Sequence, residues 1–137
     1  APSHLSLNIQ NQRIKDIYRE LQRLKVEDFA NAGAVLIRVF LELTVDHFIK
    51  TQRITVKSGA ELGARLQAAH DRLQEDGTMT RAELAPIRKA ISSSDLVHAS
   101  IPTFNLYVHS FSLTPSPTDV RTAWDNLQLF FERIWTR

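Results

Sequence analysis

The run from Asn31 to Ile49 constrains this chain more than any other segment. Ala34, Val35, Leu36, Ile37, Val39, Phe40, Leu41, Leu43, Val45, Phe48 and Ile49 fall nearly all the way round a helix of 3.6 residues per turn. A helix that is apolar on every side is buried on every side, so other helices must surround this one. The pattern predicts a helix over about residues 27–52 as the core of an all-α antiparallel helical bundle. About four main helices and one or two short ones are expected. A single polar line breaks the apolar surface: Asn31, Arg38, Glu42 and Asp46. Steps of four residues advance only about 40° around a helix, so Arg38, Glu42 and Asp46 line up.

The surrounding helices are legible from the same periodicity. Ile14, Ile17, Tyr18, Leu21 and Leu24 make one stripe of a helix over about Asn11 to Leu24, with charged residues elsewhere. Ser58 is placed to cap a helix from Gly59 to Glu75, with Leu62, Leu66, Ala69 and Leu73 inward and Asp76-Gly77 as its end. Thr80 and Glu83 have the spacing of a capping box, opening a helix with Leu84, Ile87 and Ile91 on its apolar face. Ser92-Ser93-Ser94 ends that helix. Ser100, Pro102 and Thr103 open a short helix over about residues 101–108. After the corner Thr114-Pro115-Ser116-Pro117, Ser116 caps a last helix whose first residue is Pro117, with Asp119 favourable to its dipole. Val120, Trp124, Leu127, Phe131, Ile134 and Trp135 are its buried face.

At 137 residues the chain suffices for one domain with a real core, assigned to residues 11–137, with residues 1–10 as an N-terminal tail. The chain opens on Ala1 and reads as a fragment of a larger protein, with Ala1-Pro2-Ser3 a cloning remnant. A formal net charge of +2 with no Lys/Arg cluster disfavours a reader of duplex DNA, which needs concentrated positive charge. The absence of cysteine excludes disulfides and thiol chemistry and fits a cytoplasmic protein. Even the central helix carries Arg38, Glu42 and Asp46, so no stretch of about 20 apolar residues is available to cross a membrane. Residues 1–10 lack the charged start and apolar run of a secretion signal.

Three constellations carry candidate chemistry. The line Arg38, Glu42, Asp46 lies on an otherwise apolar helix. Ionisable groups there are costly unless paired or facing a cleft. The line is therefore either an Arg38–Glu42 pair that satisfies itself or the floor of a polar groove. Asn105 and His109 share one face of the short helix over residues 101–108. They either close a structural network against the central helix or offer His109 for acid/base work or phosphate contact. Arg65 and His70 are five steps apart, about 140° around a helix, and so do not share a face. His4, His47 and His98 are isolated. No metal site, Gly-rich phosphate loop or nucleophile elbow is present in the sequence, and no cofactor is expected.

The order of these motifs resembles a known family. Ala34-Val35-Leu36-Ile37-Arg38-Val39-Phe40-Leu41-Glu42, then a helical middle, then Asn105-Leu106-Tyr107-Val108-His109 and an aromatic last helix, is similar to HEPN-type domains. The likeness is greatest to the helical domains of that superfamily in bacterial defence and toxin proteins, and it covers roughly residues 31–135. It implies a four-helix bundle that often dimerises. Active members cleave RNA without metal, using an Arg and a His separated by four to six residues. Others serve as interaction or nucleotide-binding modules. Residue by residue, Arg38 and Glu42 match the buried-helix motif, and Asn105 and His109 match the late motif. The window where a catalytic arginine would precede His109 holds Pro102, Thr103 and Phe104. The expectation is therefore a non-catalytic module for self-association or contact with another protein chain. A metal-independent ribonuclease using Arg38 and His109, and a nucleotide- or RNA-binding module without chemistry, are the alternatives.

Overall fold

The structure, a computed structural model, describes residues 7–92 and 115–136. It is all-helical there: α1 (Gln12–Arg23), α2 (Ala30–Thr51), α3 (Leu62–Glu75), α4 (Ala85–Ser92) and α5 (Pro117–Trp135). The short helix expected over residues 101–108, with Asn105 and His109, lies outside the described residues. No helix among the described residues is long and apolar enough to cross a membrane.

Capping chemistry sets three of the helix ends. Asn11 precedes α1, and its side chain accepts from the Ile14 N–H at 3.1 Å. Ser116 and Asp119 form a full capping box at α5, with Pro117 in the first turn where no N–H is needed. α2 ends in a Schellman motif. The Ile54 N–H bonds to the Ile49 carbonyl at 3.0 Å, and the Arg53 N–H to that of Lys50 at 3.3 Å. Arg53 holds the left-handed position usually given to glycine, with φ 53°.

Three helix starts differ from the sequence reading: α2 begins at Ala30 and not near residue 27, and α3 and α4 also start late. Ser58 caps nothing, because Ser58 and Gly59 (φ +76°) form a turn and α3 begins only at Leu62 after Glu61. A glycine in that conformation ends a helical path instead of starting one. The Thr80–Glu83 capping box does form, with bonds of 2.9 and 3.1 Å. It caps a turn, however, and α4 starts at Ala85. Pro86 has no N–H to offer the Ala82 carbonyl, which is taken by the Ala85 N–H at 3.2 Å.

α2 is the common neighbour of α1, α3 and α5. Tyr18, Phe40, Trp124 and Phe131 form the aromatic centre, with ring centroids 4.6 to 6.3 Å apart. Burial pushes the Tyr18 hydroxyl pKa up to about 12. The contacts also give helix direction. Tyr18 meets Phe40 while Leu24 lies near Gly33, so α1 runs antiparallel to α2. Val120 lies near Gly33 and Trp135 bonds Thr44, so α5 runs in the same sense as α2. Arg65 reaches Asp46 and Arg72 reaches the Gln52 carbonyl, so α3 also follows α2. α1 and α2 are thus antiparallel, whereas α3 and α5 run in the same sense as α2. Residues 52–61 make the return possible, since an extended chain of that length spans roughly 30 Å.

α2 is not buried on every side, as its composition suggested. Val35 is 42% exposed and Phe29, just before the helix, 55%. Leu36, Val39 and Leu43 are only half-buried. The core-facing residues are Ala34, Ile37, Phe40, Leu41, Thr44, Val45 and Phe48. α1, α3 and α5 cover only part of the helix circumference.

Candidate functional site

The polar line of α2 faces α3. Arg38 Nη1 donates to Glu42 Oε2 at 3.0 Å, the i,i+4 pair allowed by helix geometry. The line does not close on itself. Arg65 of α3 enters between its two carboxylates, with Nη2 3.3 Å from Glu42 Oε1 and Nη1 paired to Asp46. Burial opposes the charge on Arg65, but hydrogen bonds and proximity to Asp46 and Glu42 outweigh it and raise its pKa above the ordinary value. The Arg65 Nε is buried without a partner. The result is a chain of alternating charge, Arg38–Glu42–Arg65–Asp46, along the α2–α3 seam.

Sequence reasoning weighed Arg65 only against His70 and did not connect it with the polar line of α2. Its neighbour Leu66 is fully buried and belongs to the inward stripe of α3. A basic residue flanking such a stripe sits at the edge of a helix contact, where charged partners on the next helix are found. That signal was available, but which partner would answer it was not.

His70 turns to a different neighbour. It is 4% exposed, with Nδ1 2.9 Å from Asp71 Oδ1 and Nε2 3.3 Å from Arg88 Nη1 of α4. A guanidinium only donates, so Nε2 accepts and the ring proton sits on Nδ1, donating to Asp71. Gln67 Nε2 completes the cluster on Asp71 at 2.9 Å. Arg65 and His70 thus serve opposite sides of α3, one facing α2 and the other α4.

At the C-terminal end of α2, His47 stacks on Trp135 with centroids 4.9 Å apart and an angle of 28°. The Trp135 indole N–H donates to the buried Thr44 hydroxyl at 3.2 Å. Burial, and then the charge of Lys50, lower the His47 pKa. Asn8, Gln10, Thr51 and Gln52 line a cavity of about 240 Å³ with this pair.

A second cavity, of about 500 Å³, opens where α1, the turn after it, α2 and the start of α5 meet. Leu21, Ile37, Val120 and Trp124 line it together with Arg23, Lys25 and Arg121. Arg121 also pairs with Glu27 of the α1–α2 turn.

Of the residues singled out from sequence, Arg38, Glu42 and Asp46 are therefore brought together. Asn105 and His109 lie outside the described residues. Among the described residues no three His, Asp or Glu side chains converge as a metal set.

The fold and these clusters define an all-α helical bundle with a charged seam along its central helix. No protein-family model, curated protein or solved structure matches the chain.

Proposed function

We propose that this chain is a non-catalytic, HEPN-like helical module that self-associates within a larger bacterial defence or regulatory protein. The observation that carries the reading is an exposed apolar strip on α2. Phe29 and Val35 are each large, apolar and solvent-facing, Ala32 lies between them, and Val39 continues the line half-buried. Spacings of three and four residues keep them on one face. Other large side chains of the described core are withdrawn from water, so this strip is the departure. Beside it run Arg38, Glu42 and Asp46, whose charges are paired within the seam with one another and with Arg65, so the strip is flanked by a polar border.

The charged seam also supports a module without catalysis. Phosphodiester cleavage without metal needs a cation available to the phosphate. Arg38 and Arg65 both lie against carboxylates, and His70 is held between Asp71 and Arg88. Each group is occupied within the fold.

Light scattering at rising protein concentration tests the reading. The expected result is a dimer for the wild type and a monomer for Phe29→Ser/Val35→Asp with its helicity intact. A wild type that stays monomeric at high concentration overturns self-association. RNA incubated with the protein in EDTA tests the other clause, since cleavage abolished by His109→Ala overturns the non-catalytic reading.

A further inference from the structure

We infer that the cavity between α1, α2 and α5 is a binding site for a small apolar carboxylate, separate from the α2 strip. Its volume of about 500 Å³ lies in the range of small-molecule sites. The floor is apolar: Leu21, Ile37, Val120 and Trp124 are all buried members of the core. The rim is cationic on balance. Arg23, Lys25 and Arg121 stand there against Glu27 and Asp125, and Glu27 is already engaged by Arg121. An apolar floor under a basic rim matches a ligand with a hydrocarbon body and one anionic end. A purely apolar ligand would leave the rim unused, and a compact anion would leave the floor unused.

A second observation points to the same place. Trp124 is 2% exposed, and its indole Nε1 is buried without a hydrogen-bond partner. Indole N–H groups in protein interiors ordinarily find an acceptor, as Trp135 does on Thr44 in this chain. Trp124 lines the cavity, so its unanswered indole N–H lies in the wall against which the hydrocarbon body of a ligand would pack, and it reports on occupancy there. Glu27 and Arg121 tie the α1–α2 turn to α5 across this region, and a ligand carboxylate would share the Arg121 guanidinium with Glu27.

The chain has two tryptophans, so two indole N–H resonances report the outcome in a heteronuclear NMR spectrum, assigned with Trp135→Phe. The wild-type protein is titrated with octanoate and with 4-phenylbutyrate, using octanol as the uncharged control. The expected result is a saturable shift of the Trp124 resonance with the Trp135 resonance unmoved, at least about tenfold weaker for octanol. Lys25→Glu and Arg121→Ala should each weaken carboxylate binding by about tenfold, the factor carried by a lost charge-assisted hydrogen bond. The unchanged Trp135 resonance verifies that both variants are folded. No saturable response to either carboxylate overturns the inference. Equal binding of octanol, or binding indifferent to both substitutions, overturns it as well.

Discussion

The Arg65 guanidinium lies 3.3 Å from Glu42 Oε1 across the α2–α3 seam, with its other terminal nitrogen on Asp46. One side chain from α3 thereby joins two carboxylates of α2 that would otherwise repel along a half-buried line. Arg65→Ala is expected to lower stability by roughly 1–2 kcal/mol, reduced from the full value of a charged hydrogen bond because Glu42 and Asp46 remain partly in water. Arg65→Lys should recover only part of this, since an ammonium is a point charge without the fixed planar fork of a guanidinium. Thermal melts of both variants at low and high salt check this. A loss that does not shrink with salt would show that packing, not charge, is responsible.

Arg53 occupies a left-handed position that glycine fills without strain. Its neighbours Ile49 and Ile54 complete the Schellman motif through backbone bonds that do not involve the Arg53 side chain. Arg53→Gly is therefore expected to raise stability by roughly 0.5–1 kcal/mol, the relief of strain less the added freedom of the unfolded glycine. Urea denaturation midpoints measure the change. A decrease would mean that the side chain makes a contribution larger than the strain.

Glu83 accepts from the Thr80 N–H and lies 3.2 Å from Arg133. The Thr80 backbone bond first, and the charge of Arg133 after it, hold its carboxyl below the ordinary value of 4.5. A folded-state value below the unfolded one means that the fold favours the carboxylate. That stability is fully present above 4.5 and is lost as pH falls through the folded-state value. Glu83→Gln should therefore narrow its gap to the wild type as the solution is acidified below about pH 4.5, when followed by circular dichroism. A gap constant with pH counts against the assignment.

Thr44 is fully buried and receives the Trp135 N–H at 3.2 Å. Thr44→Val keeps the shape and removes the acceptor, so roughly 1–3 kcal/mol should be lost. Thr44→Ser keeps the hydroxyl and should lose only the methyl contribution, about 1 kcal/mol. A Thr44→Val protein as stable as the wild type would show that the buried hydroxyl contributes nothing.

His47 adds a pH term at the same end. Burial, then Lys50, lower its pKa below 6.5, so the fold favours the neutral ring. The stability this gives is present above 6.5 and declines as pH falls toward the folded-state value. His47→Phe should flatten the decline while keeping a ring against Trp135. Melting temperatures between about pH 7 and pH 5 test it, and an unchanged slope would reject it.

Local signals were legible in the sequence where the physics is local. Ser116 and Pro117 act on backbone groups within one turn, so their roles at the start of α5 follow from spacing alone, whereas Asn11 was read as the first helical residue and is the cap before it. Ser58 misled because a plausible cap was followed by a glycine that the chain used to turn. The line Arg38, Glu42, Asp46 was visible because helix periodicity fixes which side chains align. The entry of Arg65 into that line was not, because it depends on how α3 is brought back alongside α2.

The sequence by itself determined that this protein is helical and that α2 is its centre, since periodicity and burial of apolar surface act along each helix separately. Only the tertiary structure decided helix direction, the exposure of Phe29 and Val35, the place of Arg65 between two carboxylates, and the cavity beside Trp124. Each of these depends on which helix lies against which face. That is settled by packing among residues far apart in the chain, and no local pattern encodes it.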